Sequence, residues 1–174
     1  MFINFIYMIN ANKHCIWLTF ESRELANIIN NLSDRFHGPV FQPHCTLVGK
    51  TDISIIKLKS AITNVMESTN LKEIHIENVN FSDNYWRSFY LELKEKNKLT
   101  RLHEKLMELL SLEISDDYIP HISLMYNLIS EKIKKDIELP IELGQSIQLR
   151  SIQITKCDEY VENWKPVFQL IINN

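Results

Sequence analysis

The sequence predicts an α+β fold of two structurally equivalent lobes that share a cleft. Two observations carry this. Strand-like and helix-like periodicities alternate in mixed order along the chain, with a hairpin beside helices, which favours α+β over a doubly wound parallel sheet. A five-residue motif beginning with Pro-His also occurs twice, nearly half the chain apart, once for each lobe. The 174 residues, 45% of them hydrophobic, suffice for a single domain with a sizeable core, built from two small lobes. No stretch reads as a flexible linker.

The elements follow in order. Residues 13–20 are β-prone through Ile16, Trp17, Leu18 and Phe20. A helix starts after Ser22, a suitable N-cap, and carries Leu25, Ile28, Ile29, Leu32 and Phe36 at the spacing of one buried stripe. His37-Gly38-Pro39 ends it. A strand over residues 44–49 precedes a second helix from about Ser54, with Ile55, Leu58, Ile62, Val65 and Met66. Ile74, Ile76, Val79 and Phe81 mark one strand, and Phe89, Leu91 and Leu93 the next. Ser82-Asp83-Asn84 between them is a turn signal, so the two form a hairpin. A third helix spans residues 97–112, a strand 121–126 and a short helix 130–137. Strands over 146–155 and 167–172 complete the chain. The apolar residues 1–12 read as an edge strand or an N-terminal extension. They lack the basic start of a secretory signal and are too short to cross a bilayer, which needs about 20 residues.

Composition narrows the function. The three glycines, Gly38, Gly49 and Gly144, are too far apart for a phosphate-cradling glycine loop or a dinucleotide fingerprint. The net charge of −3 argues against a grip on duplex nucleic acid, which requires a basic excess. A small or single-stranded anionic ligand held by a local site remains open. Cys15, Cys45 and Cys157 show no paired spacing and read as reduced, buried thiols of a cytoplasmic protein.

The repeated motif carries the chemistry. Its copies are Pro43-His44-Cys45-Thr46-Leu47 and Pro120-His121-Ile122-Ser123-Leu124, both Pro-His-x-hydroxyl-Leu and both opening a strand. A match of this kind arises by chance at about one in 10⁵ starting positions. In a strand, residues i and i+2 share a face. His44 therefore faces with Thr46 and His121 with Ser123, while Cys45 and Ile122 turn away. Histidine titrates near neutrality, so one ring can take a proton and the other give one. Placed across a phosphorus centre, the pair supplies general base and general acid, and the hydroxyls hold the non-bridging oxygens. A metal site built on the two histidines is the competing reading, and it needs a third ligand. His14, His37, His75 and His103 lack the pattern and read as structural or surface residues.

The duplicated His-x-Thr/Ser resembles the two-histidine (2H) phosphoesterase superfamily, and within it the plant and yeast cyclic phosphodiesterase group. The similar stretches are residues 14–19 (HCIWLT), 36–47 (FHGPVFQPHCTL), 118–126 (YIPHISLMY) and 154–157 (ITKC), followed by Trp164. The resemblance covers about residues 13–172; the first residues have no counterpart in it. It implies two pseudo-symmetric lobes of antiparallel sheet flanked by helices around a central cleft. It makes His44 and His121 the acid/base pair and Thr46 and Ser123 the phosphate ligands. It places Tyr126 and Trp17 near the nucleotide, although Trp17 and Tyr126 read equally well as core. Trp86, Arg87, Phe89 and Lys156 are further candidates near the cleft.

The implied activity is metal-independent and cofactor-free. It is hydrolysis of a cyclic phosphate on ribose, such as a nucleoside 2′,3′-cyclic phosphate or ADP-ribose 1″,2″-cyclic phosphate. Two alternatives stand beside it: cleavage of 2′,5′- or 3′,5′-linked oligonucleotides, cyclic ones included, and an idle nucleotide-binding module. Either way the partner is a small nucleotide or short oligonucleotide, with no duplex and no membrane; a monomer is favoured, and the oligomeric state stays open. Which histidine is acid and which is base stays open at this point.

Overall fold

The computed structural model describes residues 13–67 and 69–172. The segment expected as an edge strand or extension, residues 1–12, lies outside them. Among the described residues the order is β1 (His14–Phe20), α1 (Arg23–Phe36), β2 (His44–Thr51), α2 (Ile55–Glu67), β3 (Glu73–Phe81), β4 (Phe89–Leu93), α3 (Lys96–Leu110), β5 (His121–Met125), α4 (Glu131–Lys135), β6 (Ser146–Lys156) and β7 (Lys165–Ile171). The class is α+β, and every strand pairing is antiparallel.

The strands follow the order β2-β1-β6-β3-β4-β5, with β7 also on β6. The long strand β6 joins the lobes: residues 146–148 pair with β3, and residues 149–156 pair with β1. The sheet curls into a half-barrel, so its two end strands, β2 and β5, approach each other. Tyr118 Oη ties them by donating to the Thr46 carbonyl at 3.0 Å. These are the two strands that open with the repeated motif. The units β1-α1-β2 and β4-α3-β5 have the same plan, a strand, a helix and an antiparallel partner. Each helix crosses over: α1 packs on β5 and α3 on β2.

Local chemistry sets the ends of these elements. Ser22 Oγ accepts from the Leu25 N–H at 3.2 Å, and the stripe Leu25, Ile28, Ile29 and Leu32 is buried. The helix stops where His37 turns left-handed, at φ 55°. Gly38 follows because a Cβ there would lie 3.1 Å from the Tyr126 carbonyl oxygen, a tight backbone approach beside the site. α3 ends two residues before the expected 112, because Ser111 takes a left-handed φ of 57° and its N–H caps the last carbonyls. The β3–β4 hairpin is present, and its connection includes a short 3₁₀ turn, Tyr85–Arg87. Asn84 Oδ1 accepts from the Trp86 N–H at 2.9 Å. Beneath the connection, Lys134 of α4 is 2% exposed and donates through Nζ to the Ser82 carbonyl at 2.7 Å.

Candidate active site

Strand alternation places each candidate side chain. Cys45 and Leu47 of β2, and Ile122 and Leu124 of β5, enter the core. His44, Thr46, His121 and Ser123 face the other way and line one cavity of about 340 Å³, together with Trp17 and Tyr126. The four motif residues and the two aromatics that the resemblance places near the nucleotide therefore meet in one place. That volume is in the range of small-ligand sites. Cys45 lies under the junction of the two motif strands, where the His121 N–H and the Tyr118 hydroxyl reach its thiol; burial pushes this thiol up to about 12, so it stays protonated.

Both histidines are held the same way. His44 Nδ1 lies 2.6 Å from the Gln42 carbonyl, and His121 Nδ1 lies 2.7 Å from the Ile119 carbonyl. A carbonyl only accepts, so each Nδ1 carries the proton, and Nε2 of each neutral ring keeps its lone pair. The accepting residue stands immediately before the proline in both copies. Proline fixes φ and biases the residue before it to extended backbone, so the triplet Xaa-Pro-His is a holder for the ring. Gln42 is fixed in turn: its Oε1 accepts from Gln153 Nε2 at 3.2 Å.

Each ring also has an aromatic neighbour from the next strand. Trp17 pairs with Thr46 in register and stacks on His44, with centroids 3.7 Å apart. Tyr90 pairs with Ser123 and meets His121 edge-on at 5.4 Å. Trp17 and Tyr90 thus hold equivalent positions in the two lobes. Tyr126 stacks on Phe41 at 3.9 Å, and its hydroxyl lies 3.4 Å from His44 Nε2. One face of Trp17 and one of Tyr126 are therefore engaged inside the protein. The Ser123 hydroxyl donates to the Trp86 carbonyl at 2.7 Å.

The electrostatics differ between the two rings. Burial lowers His44 to about 4; its bond to Gln42 opposes this, and His121 adds a smaller repulsion. His121 is lowered by burial and by the nearby Arg87 cation, against its bond to Ile119. Both are neutral at pH 7 in this structure. A lowered histidine makes stability depend on acid. Below pH 6.5 the unfolded chain binds a proton that folded His44 refuses until about pH 4, so stability falls as pH drops through that window. The loss approaches roughly 3 kcal/mol. Urea midpoints between pH 7 and pH 4.5 will fall further for the wild type than for His44→Gln; equal falls would contradict this.

The remaining sequence candidates separate. Trp86 lines the cavity and is 44% exposed. Phe89 is 2% exposed, within the core. Arg87 stands 5.5 Å from the Tyr90 ring centroid and acts on His121 by charge, while Lys156 lies outside the cavity lining. Lys50 and Trp164 line the cavity, and no sequence pattern marked Lys50. Among the described residues no group of three His, Cys, Asp or Glu side chains is placed to hold a metal ion. No helix among them is long and apolar enough to cross a membrane.

Comparison with known proteins defines the class. The chain belongs to the cyclic phosphodiesterase-like protein family, which it matches over residues 12–172. It is thereby a phosphodiesterase. Among solved structures it is similar to E. coli LigT in apo form, at a TM-score of 0.59 and 12% identity, covering 94% of this chain and 99% of that one. It is similar to E. coli LigT complexed with 3′-AMP at a TM-score of 0.60 and 13% identity, covering 93% and 99%. A crystal structure described as a phosphoesterase follows at 0.57 and 11%, covering 94% and 99%. At these identities the likeness is one of fold. No curated protein matches the sequence.

Proposed function

We propose that the protein hydrolyses a cyclic phosphate on ribose, without a metal, by proton transfer between His44 and His121. The observation that carries this reading is the twofold arrangement of the site: two imidazoles, each tethered through Nδ1 to a carbonyl, beside one hydroxyl apiece around one cavity. His44, held low by burial, is the base. Its Nε2 takes the proton of a water as the water oxygen attacks phosphorus. His121 enters the reaction protonated, once the phosphate anion has raised it, and gives its proton to the ribose oxygen as the P–O bond breaks. Solvent exchange resets both rings. Thr46 and Ser123 hold the non-bridging oxygens.

The solved LigT structures include complexes with phosphate, 3′-AMP, ATP and NADP+, and the reading extends that ligand class to this chain. The test is a substrate panel in excess EDTA. A nucleoside 2′,3′-cyclic phosphate, ADP-ribose 1″,2″-cyclic phosphate, and linear and cyclic oligoadenylates are each incubated with wild type and His44→Ala. Turnover of a ribose cyclic phosphate by the wild type alone, undiminished by EDTA, is the expected result. Rapid turnover confined to oligoadenylates would replace the reading with an oligonucleotide phosphodiesterase. Thermal stabilisation by ligand without product would make the cleft a binding module.

A further inference from the structure

We propose that Lys50 reads a second phosphate on the substrate, beside a base-stacking wall made by Trp86 and Trp164. The inference rests on the cyclic phosphodiesterase reading and narrows its substrate class. Three segments distant in sequence converge here. Lys50 comes from β2, four residues beyond Thr46; Trp86 comes from the 3₁₀ turn after β3; Trp164 immediately precedes β7. The two indoles stack with centroids 5.7 Å apart and planes 26° from parallel. Lys50 Nζ stands 5.6 Å from the Trp86 centroid and 5.7 Å from the Trp164 centroid. All three line the same cavity as the histidines and hydroxyls.

The charge inventory gives Lys50 its role. Among the described residues, the side chains lining the cavity include no carboxylate, and Lys50 is the one permanently charged side chain there. The two histidines are neutral in this structure, so they offer a second anion no fixed charge. Nζ donates to the Asp158 carbonyl at 2.8 Å. An ammonium has three donors, and among the described residues no carboxylate stands within ion-pair distance of this one. Its remaining donors are available to an anion. The carbonyl and the two ring faces also hold the cation in place, so little ordering remains to be done on binding. The ligand that satisfies this wall is a nucleotide whose base lies against the indoles and whose ribose carries a phosphate or pyrophosphate besides the one being hydrolysed. A nucleoside 2′,3′-cyclic phosphate with a free 5′-hydroxyl leaves Lys50 without an anion.

The alternative is that Lys50 only props the tryptophan pair. Calorimetric titration separates the two, using adenosine 2′-phosphate and adenosine 2′,5′-bisphosphate as probes against wild type, Lys50→Met and Lys50→Arg. The wild type binds the bisphosphate about tenfold more tightly than the monophosphate. Lys50→Met levels the two affinities, Lys50→Arg keeps most of the difference, and added salt shrinks it. A prop would weaken both probes alike and leave their ratio unchanged, which would overturn the proposal, as would a wild-type ratio near one. If no cyclic phosphate is turned over while the ratio and its loss in Lys50→Met hold, the hydrolytic reading fails and the Lys50 subsite stands. If the wild type binds neither nucleotide, both fall.

Discussion

His121→Ala and His44→Ala each lower kcat on a ribose cyclic phosphate by about 10²–10⁴-fold, with little change in KM. The size follows from what each ring does in the transition state. With His121 removed, the ribose oxygen must leave without a proton; with His44 removed, water must attack without a base. The phosphate contacts of Thr46 and Ser123 survive both changes, so binding of the ground state is spared. The double variant is only slightly worse than the poorer single variant, because a base without its acid does only part of the work. His44 also packs on Trp17 and sits buried, so His44→Gln belongs in the same series, with unfolding curves for each variant. A folded His121→Ala enzyme with wild-type kcat would remove the acid/base assignment.

Thr46→Ala costs about 10²-fold in kcat, the usual effect of losing one donor aimed at developing negative charge. Ser123→Ala costs less. In this structure the Ser123 hydroxyl donates to the Trp86 carbonyl, so holding a phosphate oxygen exchanges one hydrogen bond for another. Thr46 Oγ1 has no such bond among the described residues. Removing Ser123 also frees the carbonyl of the turn that carries Trp86, so KM for a nucleotide rises with Ser123→Ala and not with Thr46→Ala. Steady-state kinetics of both variants decide this; a larger kcat loss for Ser123→Ala would reverse the ranking of the two hydroxyls.

Much of the fold was legible because its elements are set locally. The α1 stripe and its Ser22 cap, the alternation of β4 and the turn at residues 82–84 are all readable within one window. The repeat was legible for another reason: the same short pattern serves two lobes of one plan. The site's contents were partly legible, since i, i+2 alternation puts each histidine with its hydroxyl. What local reading missed depends on register and curl. Trp17 stacks on His44 because β1 pairs Trp17 with Thr46. Tyr90 meets His121 because β4 pairs it with Ser123. No window of sequence contains either pairing. Lys50, Trp86 and Trp164 come together only when the sheet closes into a half-barrel. The role of the residue before each proline was visible as a position, Gln42 and Ile119, yet its use is a backbone carbonyl, which residue type does not reveal.

The most direct test of the paired-histidine account is the pH profile of kcat/KM for a ribose cyclic phosphate, which reports the free enzyme. His44 must be neutral, which sets an acid limb near pH 4, its lowered value. His121 must carry a proton, and since burial and Arg87 depress it below 6.5, the alkaline limb falls below that pH as well. The profile is expected to be a bell whose two limbs both lie on the acid side of pH 6.5, with each limb assigned by its disappearance in the matching histidine variant. A flat profile, or one lacking either limb, between pH 3 and pH 8 would contradict it.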